Sequence, residues 1–291
     1  MRTQQVIGTR LVATVAMLLC FIVTSPQAQR GGGGPDPAAA PTPRRANGRP
    51  DLTGSWQGAG GGLQGSGGDM FRRCSQFQSK NCMEWTNQSS DWVFMSATRL
   101  DQRQPLYKPE HWDKIIELDQ WTNKHDPVMT CLPLGNPRQG SPARIFHTEN
   151  DITMFYRGGV DGGGGYPEFR MIPLDGKPHD PERALQYTYM GYSVGRWEGD
   201  TLVLDSIGFT DETWLGRGGW FHSDQMRVVE KFTRTGNQLL YEVTVEDPEV
   251  LVEPWVMPAR TLRLSSGDTI IAERGSCSDS EHAEVSTQMR H

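Results

Sequence analysis

Alternating apolar and polar positions run through the second half of the chain and predict β-strands. In residues 239–246, Tyr241, Val243 and Val245 share one face and the residues between them are polar, which is the period-two pattern of a half-buried strand. Similar apolar or alternating runs, bounded by turn residues, predict further strands at residues 144–147, 152–156, 166–172, 193–197, 201–209, 226–234, 260–264 and 269–273.

Short turns join most of these strands in sequence. The turns are Glu149-Asn150-Asp151, Glu198-Gly199-Asp200 and Thr235-Gly236-Asn237. Consecutive hairpins without helices between them indicate an antiparallel sheet. A sheet of eight or more such strands curls into a barrel or splits into a sandwich. We therefore predict a mainly β fold, an antiparallel β-barrel or sandwich.

One helix is predicted before the strands. Pro109 suits a first helical position, and Trp112, Ile115, Ile116 and Trp121 fall near one face of a helix. Asn123 and the pair Asp126-Pro127 end it. We expect its aromatic stripe to pack on the sheet.

The N-terminus is typical of an export signal. Arg2 and Arg10 precede an apolar run, residues 11–23, that is too short to span a bilayer stably, and Ser25-Pro26-Gln27-Ala28 offers a cleavage site after Ala28. We therefore divide the chain into a signal peptide (1–28), a disordered Gly/Pro/Arg-rich tether (29–50) and a single β-rich domain (51–291). The expected location is periplasmic or secreted, with no stable membrane span.

Charge and composition narrow the classes of partner. The chain has 33 Gly and 19 Pro in 291 residues and a formal net charge of -6, which indicates a turn-rich globular protein with no general nucleic-acid footprint. The tether is basic, so it either touches an anionic membrane surface or acts as a solvated spacer. We favour the spacer.

Four cysteines remain after cleavage: Cys74, Cys82, Cys131 and Cys277. An even number in an exported protein favours two disulfides. Of the three possible connectivities we predict Cys74–Cys82 with Cys131–Cys277. Zinc binding is the alternative, but no C-x-x-C pair is present. We expect neither a metal nor a cofactor.

Several longer motifs carry a resemblance to a known family. They are P-D-L-T-G-S-W at 50–56, C-L-P-L-G-N-P-R at 131–138, G-R-W-E-G-D-T-L-V at 195–203, G-F-T-D-E-T-W-L at 208–215, H-S-D at 222–224, V-V-E-K-F-T-R at 228–234, and D-P with P-W at 247–255. In these motifs the chain resembles a secreted, largely uncharacterised bacterial family, which implies export without implying an activity. Gly54-x-Trp56 is also similar to the first strand of lipocalin-type (calycin-like) barrels and favours the barrel.

The best candidate for chemistry is the segment 210–224, which is longer than a hairpin requires. His222 is a candidate acid or base with Asp224 or Asp211 orienting it, and Trp214 and Trp220 are candidates for contacting a ligand. The alternative is that the tryptophans cap the barrel and His222 hydrogen-bonds a turn.

Three further charged residues are candidates for ligand contact. Arg157 and Arg170 lie at predicted strand ends, where either guanidinium could bind a carboxylate. Glu230 shares a strand face with Arg234. If that face points inward the barrel interior is polar, but we favour the outward, solvated orientation.

These observations leave three hypotheses. The first is an exported β-barrel that binds a small amphipathic molecule in a cavity rimmed by residues 210–224. The second is an enzyme of the same fold that performs hydrolysis, isomerisation or elimination through His222 with Asp211 or Asp224. The third is a cell-envelope interaction protein without a pocket.

Overall fold

Ten strands form one continuous antiparallel sheet in the computed structural model, which describes residues 40–58, 105–157, 168–216, 219–267 and 271. The strands are β1 (Gly54–Gly58), β2 (Arg144–His147), β3 (Asp151–Phe155), β4 (Phe169–Pro173), β5 (Tyr192–Glu198), β6 (Thr201–Ile207), β7 (Arg227–Thr235), β8 (Gln238–Glu246), β9 (Trp255–Val256) and β10 (Arg260–Leu264). The predicted mainly β, antiparallel class is confirmed.

The strand order brings the two ends of the sheet together. It runs β4-β3-β2-β1-β10-β8-β7-β6-β5, with β9 pairing to β8 beside β10. The terminal strands β4 and β5 meet at Gly195, where an added Cβ would lie 2.5 Å from the Leu174 side chain and 3.1 Å from the Pro173 carbonyl. Glycine at this position permits the close approach. The sheet is therefore a nearly closed barrel with a seam between β4 and β5.

Two-residue loops set the register of the long hairpins. Gly199 connects β5 to β6 and Gly236 connects β7 to β8, with φ of 60° and 57°, a region that glycine enters without steric cost. The predicted strands 144–147 and 260–264 match the structure to the residue, whereas 201–209 ends early at Ile207. The strand predicted at 269–273 lies largely outside the described residues.

Helices cover little of the part of the chain that the structure describes. A 3-10 turn (Pro109–His111) leads into α1 (Trp112–Gln120), followed by α2 (Thr122–His125), so the predicted helix is confirmed with a break near Trp121. Ile115 is buried as expected. Asp126 ends the segment by accepting a hydrogen bond from the Val128 amide, at the start of a second 3-10 turn (Pro127–Thr130). No helix among the described residues is long and apolar enough to cross a membrane.

A third helix, α3 (Pro181–Ala184), is not predicted by the apolar pattern because it buries no residue. Local capping forms it instead. The Asp180 carboxylate accepts hydrogen bonds from the Glu182 and Arg183 amides, and Pro181 occupies a first-turn position.

Side chains fill the barrel interior. Phe232 and Tyr241 stack with centroids 4.8 Å apart, and the Arg234 guanidinium lies 5.1 Å from the centre of the Trp56 ring. Trp56, Phe232, Tyr241 and most of the other buried apolar residues form one continuous cluster, so this part of the barrel is a packed core.

The end of the predicted tether is an ordered arm, residues 42–50. Arg44 forms a bidentate ion pair with Asp200, and Arg49 donates to the Gly199 carbonyl. Arg45 donates to the His147 carbonyl. The tether was expected to be free as far as residue 50 because it has little to bury, but its arginines find acceptors on the barrel.

Cys131 takes part in a disulfide bond. Its partner lies outside the described residues, as do Cys74, Cys82 and Cys277. The pairings Cys131–Cys277 and Cys74–Cys82 therefore stay predictions.

Candidate functional site

A buried ion pair crosses the barrel interior from β4 to β7. Arg170 donates to both carboxylate oxygens of Glu230, over 2.6 and 2.9 Å. Glu230 has no exposed surface and Arg170 is 5% exposed. Because two charges without water need further hydrogen bonds, the groups around the pair decide what it can do.

Three hydroxyl groups complete the donors and acceptors of this pair. Tyr156 accepts hydrogen bonds from Nε and Nη2 of Arg170, and Ser193 accepts one from Nη1. Tyr241 donates to Glu230 over 2.9 Å. All five N–H groups of Arg170 are thereby used, so this guanidinium is committed to Glu230 and cannot also form a bidentate pair with a ligand carboxylate.

The C-L-P-L-G-N-P-R motif supplies the remaining neighbour. The Asn136 side-chain amide donates to Glu230 over 3.2 Å, and the Asn136 backbone amide donates to the Tyr189 carbonyl. Two residues later, Arg138 forms a second buried bidentate pair with Asp126, over 2.7 and 2.8 Å. The motif therefore fixes a loop against the buried network and against residue 189.

The combined effects of burial and neighbouring charges raise the pKa values of Arg170, Tyr156 and Tyr241 in this network. Burial alone would lower the pKa of Arg170, but the Glu230 carboxylate outweighs it and the pKa of Arg170 is raised. Burial raises the pKa values of Tyr156 and Tyr241. These shifts keep the Arg170 guanidinium charged and the two phenols neutral at neutral pH.

A cleft of about 330 Å³ opens where β4 and β5 diverge, directly beside Arg170 and Ser193. Residues 168–172 line one side, and Arg183, Gln186 and residues 188–193 line the other. The volume lies at the lower end of the range for small-molecule sites, roughly 300–1,000 Å³.

The lining of the cleft is amphipathic. Phe169 and Met171 are 61% and 68% exposed at its mouth. Arg183 lies 4.5 Å from the centre of the Tyr192 ring. Glu168 is the carboxylate of the lining, and partial burial raises its pKa. Apolar surface, an aromatic face, one carboxylate and the guanidinium of Arg183, in addition to the Arg170 that Glu230 holds, thus meet in one concave site.

Close packing fixes the wall of the cleft that precedes β5. Gly191 has a φ of 70°, and an added Cβ would lie 2.5 Å from the Phe209 ring. At Gly135, with a φ of 72°, a Cβ would lie 2.8 Å from the Tyr189 carbonyl. The two glycines let residue 189 pack directly against Gly135, and let residue 191 pack directly against the Phe209 ring.

None of the described residues of the predicted segment 210–224 lines the cleft. Trp214 and Trp220 are each 6% exposed and belong to the hydrophobic core, with Trp220 in edge-to-face contact with Trp255. Neither lines the cleft. Their burial agrees with the alternative that these tryptophans cap the barrel. Two links to the lining remain: the Tyr189 hydroxyl donates to Glu212 over 3.0 Å, and the Thr210 amide donates to the Thr188 carbonyl over 3.1 Å.

Among the described residues, His222 has two hydrogen-bond partners, and neither is a carboxylate. Nε2 lies 2.7 Å from the Thr213 hydroxyl and Nδ1 lies 2.9 Å from the Ser223 carbonyl. A carbonyl can only accept, so Nδ1 carries the proton and Nε2 accepts from Thr213. Burial lowers the pKa of His222 against the opposing effect of nearby carboxylates, which keeps the ring neutral.

The acids expected to orient His222 do not hydrogen-bond to it, and Asp211 acts on the ring through its charge, which opposes the lowering of the His222 pKa. Asp211 and Asp224 are exposed, and Asp224 accepts a hydrogen bond from the Gln225 side chain. A third carboxylate, Asp247, binds the amide and hydroxyl of Ser223. Asp224 and Asp247 therefore contact turn residues, and the imidazole contacts Thr213 and Ser223.

The charged residues predicted to contact a ligand have different locations in the structure. Glu230 and Arg234 were expected to face solvent, and that orientation is wrong because both are buried in the barrel. Arg170 does bind a carboxylate, but it is that of Glu230. Arg157 is exposed, lies outside the cleft lining, and contributes its carbonyl as acceptor to Gln139.

Sequence reasoning missed the polar partners of the pair. Tyr156, Ser193, Tyr241 and Asn136 each contact Arg170 or Glu230. One signal for the burial of Glu230 was present in the apolar face of β8, which contains Tyr241 and Val243. Glu230 of β7 pairs in register with Val243 of β8. That register places Glu230 among inward-facing residues.

Comparisons with known proteins add no relatives to this picture. No family model, no curated protein and no solved structure matches the chain. The resemblance to the secreted bacterial family, and the likeness to lipocalin-type barrels, therefore stay predictions. Among the described residues, no group of three or more His, Cys, Asp or Glu side chains could hold a metal ion.

Proposed function

We propose that this protein binds a small amphipathic molecule in the cleft between β4 and β5. The observation that carries the proposal is the combination of a concave space of about 330 Å³ with exposed Phe169 and Met171 at its mouth and a rigid polar base. Sites for small molecules typically join apolar walls to a few fixed polar groups.

The network beneath the cleft supports binding by keeping that base in one conformation. Ser193 accepts from Arg170 and lies 2.7 Å from the Ser206 hydroxyl. Since Arg170 is held by both oxygens of Glu230, little conformational freedom is left there for a ligand to remove. A preorganised base lowers the entropic cost of binding.

The proposed site differs from the segment 210–224 expected from the sequence. That segment contributes buried tryptophans to the core and contacts the cleft lining at two points, Glu212 with Tyr189 and Thr210 with Thr188. We therefore assign the segment a supporting role, in which it holds one wall of the cleft.

The test uses two tryptophan substitutions in the same exposed turn. Gln186→Trp places a large ring in the cleft, whereas Tyr187→Trp changes an exposed neighbour that does not line it. The full chain is produced in a bacterial host that exports it, purified, denatured, and the released small molecules are identified by mass spectrometry. We expect a compound to be released by wild type and Tyr187→Trp and lost in Gln186→Trp. The same compounds from all three proteins would contradict the proposal.

We also propose that the chain is exported, cleaved after Ala28 and stabilised by two disulfides. The support is the Arg-flanked apolar leader and the four remaining cysteines. Intact-mass measurement of the exported protein should give a chain that begins at Gln29 and gains four hydrogens on reduction. A chain that begins at Met1, or an unchanged mass after reduction, would contradict it.

A further inference from the structure

The edge of β4 that faces the cleft carries backbone groups without strand partners. The Tyr156 amide donates to the Glu168 carbonyl and the Leu174 amide donates to the Asn150 carbonyl, in the same register as the rest of the β3–β4 pair. Because backbone groups alternate between the two sides of an antiparallel strand, residues 168, 170, 172 and 174 pair with β3. The N–H and C=O groups of Phe169 and Met171 therefore point to the seam.

The strand across the seam does not use these groups. Among the described residues, β4 pairs with β3 alone and β5 with β6 alone, so the two terminal strands of the sheet are not joined by a ladder. Two donor–acceptor sets separated by two residues, roughly 7 Å along a strand, match the backbone of another extended chain.

The charges and side chains of the cleft fit such a chain. Glu168 and Arg183 give the lining one charge of each sign, and Glu230 compensates Arg170. An occupant with no net charge and with both donors and acceptors complements this lining. On the outer face, Phe169 and Met171 would contact apolar side chains at alternate positions of that occupant.

We propose that the occupant of the cleft is an extended peptide segment that adds to the edge of β4 as a further strand. This inference rests on the proposed function and names the class of its ligand. The peptide backbone pairs with Phe169 and Met171, and its alternate apolar side chains pack on their exposed side chains.

A matched pair of substitutions separates backbone pairing from side-chain contact. Met171→Ala removes the exposed side chain and keeps the amide N–H. Met171→Pro removes the side chain and the N–H that points to the seam, and leaves the ladder to β3 intact, which an edge strand tolerates. Neither change affects the core, because Met171 is 68% exposed.

The probe is a linear 12-residue peptide selected from a random displayed library on the immobilised wild-type protein. We expect Met171→Ala to weaken its affinity a few-fold and Met171→Pro to weaken it about tenfold further, the effect of losing one backbone hydrogen bond. Single N-methylation along the peptide, tested on wild-type protein, should abolish binding at every second residue. This second measurement does not depend on how the proline variant folds.

Three results would overturn strand addition: equal affinities of the alanine and proline variants, an N-methyl scan without a period of two, or no peptide selected above background. If Gln186→Trp still removes a released compound in those cases, the cleft binds a ligand of another class and the proposed function stands. If Gln186→Trp changes nothing while the peptide results hold, the small-molecule proposal fails and the β4 edge is a peptide site in its own right.

Discussion

Glu230 is the residue on which most of the buried polar contacts converge. Its two carboxylate oxygens accept hydrogen bonds from Arg170, Tyr241 and Asn136. A buried carboxylate with this many donors is stable only while its cation is present, and the cation is stable only beside the carboxylate. The residues that form the base of the cleft therefore depend on one another.

Glu230→Gln tests this dependence. The neutral side chain leaves the Arg170 charge buried without its partner, so the free energy of unfolding should fall by about 3–5 kcal/mol. The measurement is urea denaturation followed by tryptophan fluorescence. Glu242→Gln on the exposed face of β8 is the matched control and should change stability by less than about 0.5 kcal/mol. Equal effects of the two substitutions would contradict the structural role of Glu230.

His147 makes stability depend on pH. Burial lowers its pKa to about 4, below the value near 6.5 that the unfolded chain has. The unfolded state therefore binds the proton more readily, and stability is lost as the pH falls from about 6.5 towards 4. Between pH 7 and 5 we expect a loss of about 2 kcal/mol from this residue.

The comparison protein for this prediction is His147→Asn. Its free energy of unfolding should fall less between pH 7 and 5 than that of wild type. The burial of His222 lowers its pKa as well, so some pH dependence of the same sign should persist in the variant. An identical loss in both proteins would show that His147 does not titrate in this way.

At the scale of elements, the cleft depends on how one connection is packed. Asp180 caps α3, and the chain then passes through Gln186 and Tyr189 to Gly191 before β5 begins. The positive φ of Gly191 and its contact with the Phe209 ring bring this connection against the residues that follow β6. The shape of the cleft wall therefore depends on Gly191 and its aromatic neighbour, together with Gly135, which packs against residue 189.

Gly191→Ala and Gly199→Ala separate backbone strain from crowding. Both positions have a φ near +60 to +70°, so both variants should lose about 1–2 kcal/mol from the left-handed conformation. Only the Cβ at residue 191 meets the Phe209 ring, and that should cost about 1–3 kcal/mol more. Thermal unfolding measures both. If the two variants are equally stable, the packing of the wall is looser than the structure indicates.

The elements also show where sequence reasoning succeeds. The hairpins β5–β6 and β7–β8 follow from local signals, because alternation and a glycine in a tight turn act within a few residues. Local signals do not predict which face of β7 points into the barrel. Glu230 belongs inside because Arg170, sixty positions earlier, is buried beside it. The same holds for Arg44, whose acceptor Asp200 lies on a distant hairpin.

At the scale of the whole molecule, the nearly closed barrel has one seam, and the cleft lies on it. A sequence of hairpins predicts the sheet and its tendency to curl, but not where the ends meet. That position depends on Gly195 fitting against Pro173 and Leu174. The segment 210–224 does not form the site expected from the sequence, because its tryptophans are buried in the hydrophobic core.

The most direct test of the proposed cleft is a crystal structure of the exported protein purified with whatever it has bound. We expect electron density for a ligand between β4 and β5, in contact with Phe169 and Tyr192 and beside Ser193. Density for a ligand against the segment 210–224, with water alone in the cleft, would contradict the account.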